Sequence, residues 1–190
     1  FLCLIKEGEI IKSIYLPLDK SNQILLDLLN SELPIENLEI YQSYRYISSE
    51  LKECFRKLGH NIQGITITHA VNETFDEFIS DNVIDYSKIV YDILGRTDLK
   101  MVSLYGFCNS TSITIDFRNL PELEYLINQY TSSNNIVFFG TKITKLVTNL
   151  IPNSLIGIRE LTLHNFYADK SVFIEPNEID RLTSFDYNIE

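Results

Sequence analysis

Three histidines, three cysteines and a few adjacent acids are the residues of this chain that could do chemistry. His60, His69 and His164 stand apart, as do Cys3, Cys54 and Cys108. No His-Glu-x-x-His or Cys-x-x-Cys occurs, so the spacing that folds ligands around a metal is missing and no metal site is expected. A Gly-rich phosphate loop and a Gly-x-Ser-x-Gly nucleophile elbow are missing too, and seven glycines supply few backbone cradles. Cys108 could serve as a nucleophile with His164 as its base if the fold joined them. Its plainer reading is a buried structural thiol. Asp76 and Glu77 could act as acid and base. In Thr74-Phe75-Asp76-Glu77, however, they have the form of a capping box, where acids favour the first helical turn. These residues predict neither an enzyme nor a cofactor.

The totals narrow the partner. Apolar residues make up 45% and charged residues 22% of 190, a globular balance. Sixteen bases against 26 acids leave a net charge of −10, which argues against a phosphate-backbone ligand. No apolar run approaches the roughly 18 residues that span a bilayer, so no membrane is expected. The odd, scattered cysteines read as free thiols in a reducing compartment, an intracellular expectation. Two sequons, at Asn72 and Asn109, would instead suit a secreted protein. The chain begins with Phe1, which suggests a piece of something longer.

The elements that must position any site follow a repeated phrase: apolar, two residues, apolar, one residue, apolar. Its copies are Ile11-Ile14-Leu16, Ile35-Leu38-Ile40, Ile62-Ile65-Ile67, Leu99-Val102-Leu104, Ile158-Leu161-Leu163 and Leu182-Phe185-Tyr187. Each ends in the alternation of a strand, and most are preceded by helical spacing and a stop. Helices are expected over 21–29, before Pro34, over 49–58, before Gly59, and over 86–94, before Gly95. Others are expected at 74 onward, 120–127, 144–150 and 176–182, with a short out-of-phase strand over 135–139. A start at Ser133, with Ile136 and Phe138, would fill the gap between 99 and 158. The unit starts then stand at 11, 35, 62, 99, 133, 158 and 182, at intervals of 24 to 37 residues, the periodicity of a solenoid.

This phrase resembles that of the leucine-rich repeat, in particular the cytosolic ribonuclease-inhibitor or F-box-associated type. The family's Asn or Cys ladder residue is replaced here by Asp19, Ser43, Ala70, Phe107 and Phe166, so the repeats are divergent. The resemblance implies a single α/β horseshoe over 1–190, with a parallel sheet on the concave face and helices on the convex face. It also implies a partner-binding strip of about 30 Å, from strands about 4.8 Å apart. That strip comprises Tyr15, Asn37, Glu39, Tyr41, Thr66, Thr68, Met101, Ser103, Tyr105, Glu160, Thr162 and His164, with Ser13, Pro17, Gly64, Ser184, Asp186 and Asn188 at matching places. Tyr15, Tyr41 and Tyr105 are its natural interface anchors. Similar proteins serve as substrate-recognition subunits of ubiquitin ligases. The expected function is therefore non-catalytic binding of another protein, without a small-molecule substrate. The alternative fold is a single closed or doubly wound α/β domain. The alternative functions are a small α/β enzyme with its site at strand ends, Cys108, His69 and His164 its first candidates, and an acidic inhibitor of a basic toxin or nuclease.

Overall fold

Strand after strand, the chain lays down one large sheet in the order in which it is made. The structure is a computed structural model and describes residues 3–7, 10–16, 34–40, 47–58, 62–68, 79–105, 114–129, 135–149, 155–164 and 182–188. Strand β1 (Cys3–Glu7) pairs antiparallel with β2 (Ile10–Leu16). From β2 onward every pairing within this sheet is parallel: β3 (Ile35–Ile40), β4 (Ile62–Thr68), β7 (Met101–Tyr105), β9 (Tyr125–Gln129), β11 (Lys145–Thr148), β12 (Glu160–His164) and β13 (Ser184–Asn188). These nine strands form an open α/β sheet with β1 and β13 at opposite edges. The numbers skipped belong to a smaller sheet, ordered β10-β8-β6-β5, of β5 (Ile79–Ser80), β6 (Val83–Asp85), β8 (Thr114–Asp116) and β10 (Asn135–Val137).

The apolar phrase sets the register. Ile14, Leu38, Ile65, Val102, Leu126, Leu146, Leu161 and Phe185 lie side by side across the large sheet. From Leu38 to Leu161 these side chains are fully or almost fully buried. Their neighbours Ile35, Ile62, Leu99, Leu123, Ile143 and Ile158, which open each phrase, belong to the same core. Each such side chain stabilises the fold by roughly 2 kcal/mol on burial, before entropy is deducted.

A file of backbone hydrogen bonds runs just ahead of the strands. The Lys100 amide donates to the Gln63 carbonyl at 2.9 Å. The Lys100 carbonyl then accepts from Glu124 and Tyr125, that of Glu124 from Thr144 and Lys145, and that of Thr144 from Arg159 and Glu160. The Arg159 carbonyl accepts from Thr183 and Ser184. From Lys100 onward each of these carbonyls thus receives two amides of the next unit, which locks the starts of β9, β11, β12 and β13 to the strands before them.

Among the described residues two helices pack behind the sheet. Helix α1 (Ser49–Leu58) begins where Ser48 Oγ accepts from the Leu51 amide, and Leu51 and Phe55 are its buried residues. Helix α2 (Tyr86–Leu94) is capped by Asp85, which accepts from the Ser87 amide at 3.1 Å, and ends at Gly95 with φ 70°. Both match the expected bounds. Asp81 and Asn82, at φ 52° and 62°, make the two-residue turn between β5 and β6 that such backbone angles favour.

Three expectations are corrected. The helix over 120–127 is a turn followed by β9, and the helix over 144–150 is β11. The short strand near 135 exists as β10 but pairs with β8 in the smaller sheet, so the start at Ser133 does not open a large-sheet strand. Two strands fill the gap instead, β9 and β11. The reason is local: the Leu120 amide donates to the Phe117 carbonyl and that of Leu123 to Leu120, so successive three-residue turns bury Phe117, Leu120 and Leu123 with nearly helical spacing. The place of helices behind the sheet is taken there by β8 and β10. The helices expected over 21–29 and 176–182 and the capping box at Thr74 fall outside the described residues.

Candidate functional site

The second face of the large sheet carries the side chains between the apolar positions, and register sets them in rows. One row runs Ser13, Asn37, Gly64, Met101, Tyr125, Lys145, Glu160 and Ser184. The next runs Tyr15, Glu39, Thr66, Ser103, Ile127, Val147, Thr162 and Asp186, and a third aligns Thr68 with Tyr105 and Gln129. His164 aligns with Asn188. Of the expected strip, Asn37, Glu39, Thr66, Met101, Ser103 and Tyr105 are brought together around one depression of about 360 Å³, with Ile127 as its seventh lining residue. Glu160 and Thr162 lie farther along the same rows. Tyr41 and Pro17 are outside the described residues.

The depression is polar at its base. Asn37 Nδ2 donates to Thr66 Oγ1 at 2.9 Å, and Thr66 Oγ1 donates to Asn37 Oδ1 at 3.2 Å. Ser103 is 1% exposed and its Oγ has no hydrogen-bond partner. Glu39 is buried to the same degree as Asn37, each 9% exposed. Half-buried Met101, Tyr105 and Ile127 supply the apolar wall. Met101 lies across β4 because Gly64 has no side chain: a Cβ there would stand 2.9 Å from Met101 Cε.

Beside the depression the row turns ionic. Lys145 Nζ sits 4.8 Å from the Tyr125 ring centroid and 3.5 Å from Glu160 Oε2. Burial pushes the Tyr125 phenol above its ordinary value, with the Tyr105 and Glu160 charges adding to that and the Lys145 charge opposing it. Tyr125, Ile127, Lys145 and Val147 were missed by the sequence reading. They sit on β9 and β11, whose phrases Leu123-Leu126-Asn128 and Ile143-Leu146-Thr148 have a buried polar residue in the third apolar place.

Neither a family model, nor a curated protein, nor a solved structure matches this chain. The site therefore rests on its own geometry. Cys108, His60, His69, Asp76 and Glu77 fall outside the described residues, and the side chain of His164 does too, so the Cys108–His164 arrangement is not built here. Cys54 is a free, half-buried thiol on α1. Among the described residues no group of three His, Cys, Asp or Glu could hold a metal ion, and no helix is long and apolar enough to cross a membrane.

Acidic groups elsewhere have structural work. Asp116 Oδ1 and Oδ2 accept from Arg118 Nε at 3.0 Å each, and Asp116 Oδ1 also accepts from the Arg118 amide at 2.9 Å. Asp85, its neighbour in register, accepts from Ser87 Oγ and Asn119 Nδ2. These pairs hold the turns that follow β6 and β8.

Proposed function

We propose that this chain is an open α/β solenoid of leucine-rich-repeat type that binds another protein on the second face of its large sheet, without catalysis. The carrying observation is that parallel strands in unbroken chain order set Asn37, Glu39, Met101, Ser103, Tyr105, Tyr125, Lys145 and Glu160 on one continuous face. Tyr105, Tyr125 and Met101 are of the residue types enriched at interface centres, and the Lys145–Glu160 pair suits a polar rim. By analogy with the family it resembles, the chain would act as a scaffold or substrate-recognition subunit inside the cell, of the kind that ubiquitin ligases use.

The test is site-specific photo-crosslinking. A photoreactive side chain is placed at Tyr105, on the face, and separately at Lys88, exposed on α2 behind the sheet. The expected result is a discrete protein adduct from position 105 that the double variant Tyr125→Ala, Lys145→Ala reduces at least tenfold. Adducts from position 88 alone, or indifference to the double variant, would overturn the reading.

A further inference from the structure

We propose that the depression between β3, β4, β7 and β9 receives the guanidinium of an arginine side chain carried by the partner protein. This rests on the protein-binding reading above and names the chemistry at its centre. Asn37 and Thr66 spend their polar atoms on each other. Ser103 Oγ does not: a hydroxyl almost wholly removed from water without a partner is costly, and a ligand donor would remove that cost. Glu39 already interacts within the protein, and a carboxylate, with roughly four lone-pair sites, can accept a further donor.

Glu39 and Ser103 share a row and flank Thr66, so their backbones stand two strand spacings apart, roughly 9.6 Å. A planar fork with five N–H groups can address acceptors on both sides of such a gap, whereas an ammonium gathers its three donors on one compact centre. The walls fit the rest of the side chain. Met101 and Ile127 suit a three-carbon stem, and the Tyr105 ring suits a cation near its face. Among the described residues the lining carries an acid and no base, and the net charge of −10 draws cations and repels acidic groups.

The chain supplies its own reporter. Met101 is its single methionine, so isotopic labelling of the methionine methyl gives one resonance, located in the wall of the depression. N-acetyl-arginine methylamide is titrated against it, beside the citrulline analogue, which has the same shape without the charge, and the lysine analogue. The expected result is a saturable shift with the arginine compound and at least tenfold weaker binding of the other two. Glu39→Gln should weaken the arginine compound at least tenfold and Ser103→Ala about threefold. A flat titration, equal binding of the citrulline or lysine compound, or an unaltered Glu39→Gln titration would overturn the proposal. Should Glu39→Gln fail to fold, the three-compound comparison on the unaltered chain decides. A flat titration with crosslinking intact sinks the arginine pocket alone. A saturable titration with crosslinking lost sinks protein docking, and with it the partner as the source of the arginine, and leaves a guanidinium pocket alone.

Discussion

Asp116 and Arg118, two residues apart, show how a short stretch can hold a charge that burial disfavours. Burial alone would raise the Asp116 carboxyl, but the Arg118 side chain and amide donate to it, and together with the Arg118 charge they leave it below its usual value. A depressed carboxylate adds stability above its unfolded value of about 3.9, and loses it as pH falls through the lower folded value. Asp116→Asn should therefore melt about 3 °C below the parent near neutral pH, and the gap should close below about pH 4 in thermal scans. A gap that persists in acid would assign the loss to shape and not to charge. At this scale the sequence was partly readable. Asn37, Glu39, Thr66, Met101, Ser103 and Tyr105 follow from their places in the repeated phrase. The lone hydroxyl of Ser103 does not, because partnerlessness is a fact of packing.

Helices α1 and α2 were legible to within a residue, because each has a capping side chain and an apolar face. They are joined by charge: Lys52 Nζ donates to Asp92 Oδ2, and Arg56 Nη2 donates to the Asp92 carbonyl at 2.6 Å. Asp92→Ala should lower stability by roughly 1 kcal/mol in denaturant titrations, since the pair is partly exposed and screened. Strands β9 and β11 were illegible for two physical reasons. Consecutive three-residue turns bury every third residue at 117, 120 and 123, which counterfeits a helical stripe. Asn128 and Thr148 then stand, wholly buried, where the phrase calls for an apolar side chain. A polar residue at a core position is acceptable when it is partnered, and no reading of apolar spacing detects that.

At the scale of the large sheet, among the described residues each strand pairs only with the sheet's preceding and following strands in chain order. Stability in such an array is local, summed over neighbours, so opening should start at a margin. Hydrogen exchange should find the amides of β4 and β7, each between two partners, at least tenfold slower than those of β13, which has one partner among the described residues. Uniform exchange across all of these strands would show a single cooperative unit instead. The open, sequential order was readable from the spacing of the phrase. The number of turns of chain was not, since one start was placed where the smaller sheet runs.

The file of carbonyls that passes through Gln63, Lys100, Glu124, Thr144 and Arg159 is held by main-chain amides, joined at its end by Thr183 Oγ1, which donates to the Arg159 carbonyl at 3.1 Å. From Gln63 to Thr144 its geometry is therefore indifferent to which side chains those positions carry. It is also indifferent to how much chain is spooled between them, which ranges from 15 residues between Leu146 and Leu161 to 37 between Ile65 and Val102. Mutation and insertion can reshape the back of the molecule while the pitch of its front stays fixed. A lineage of such proteins could thus lose every familiar letter and still present the same ruled surface.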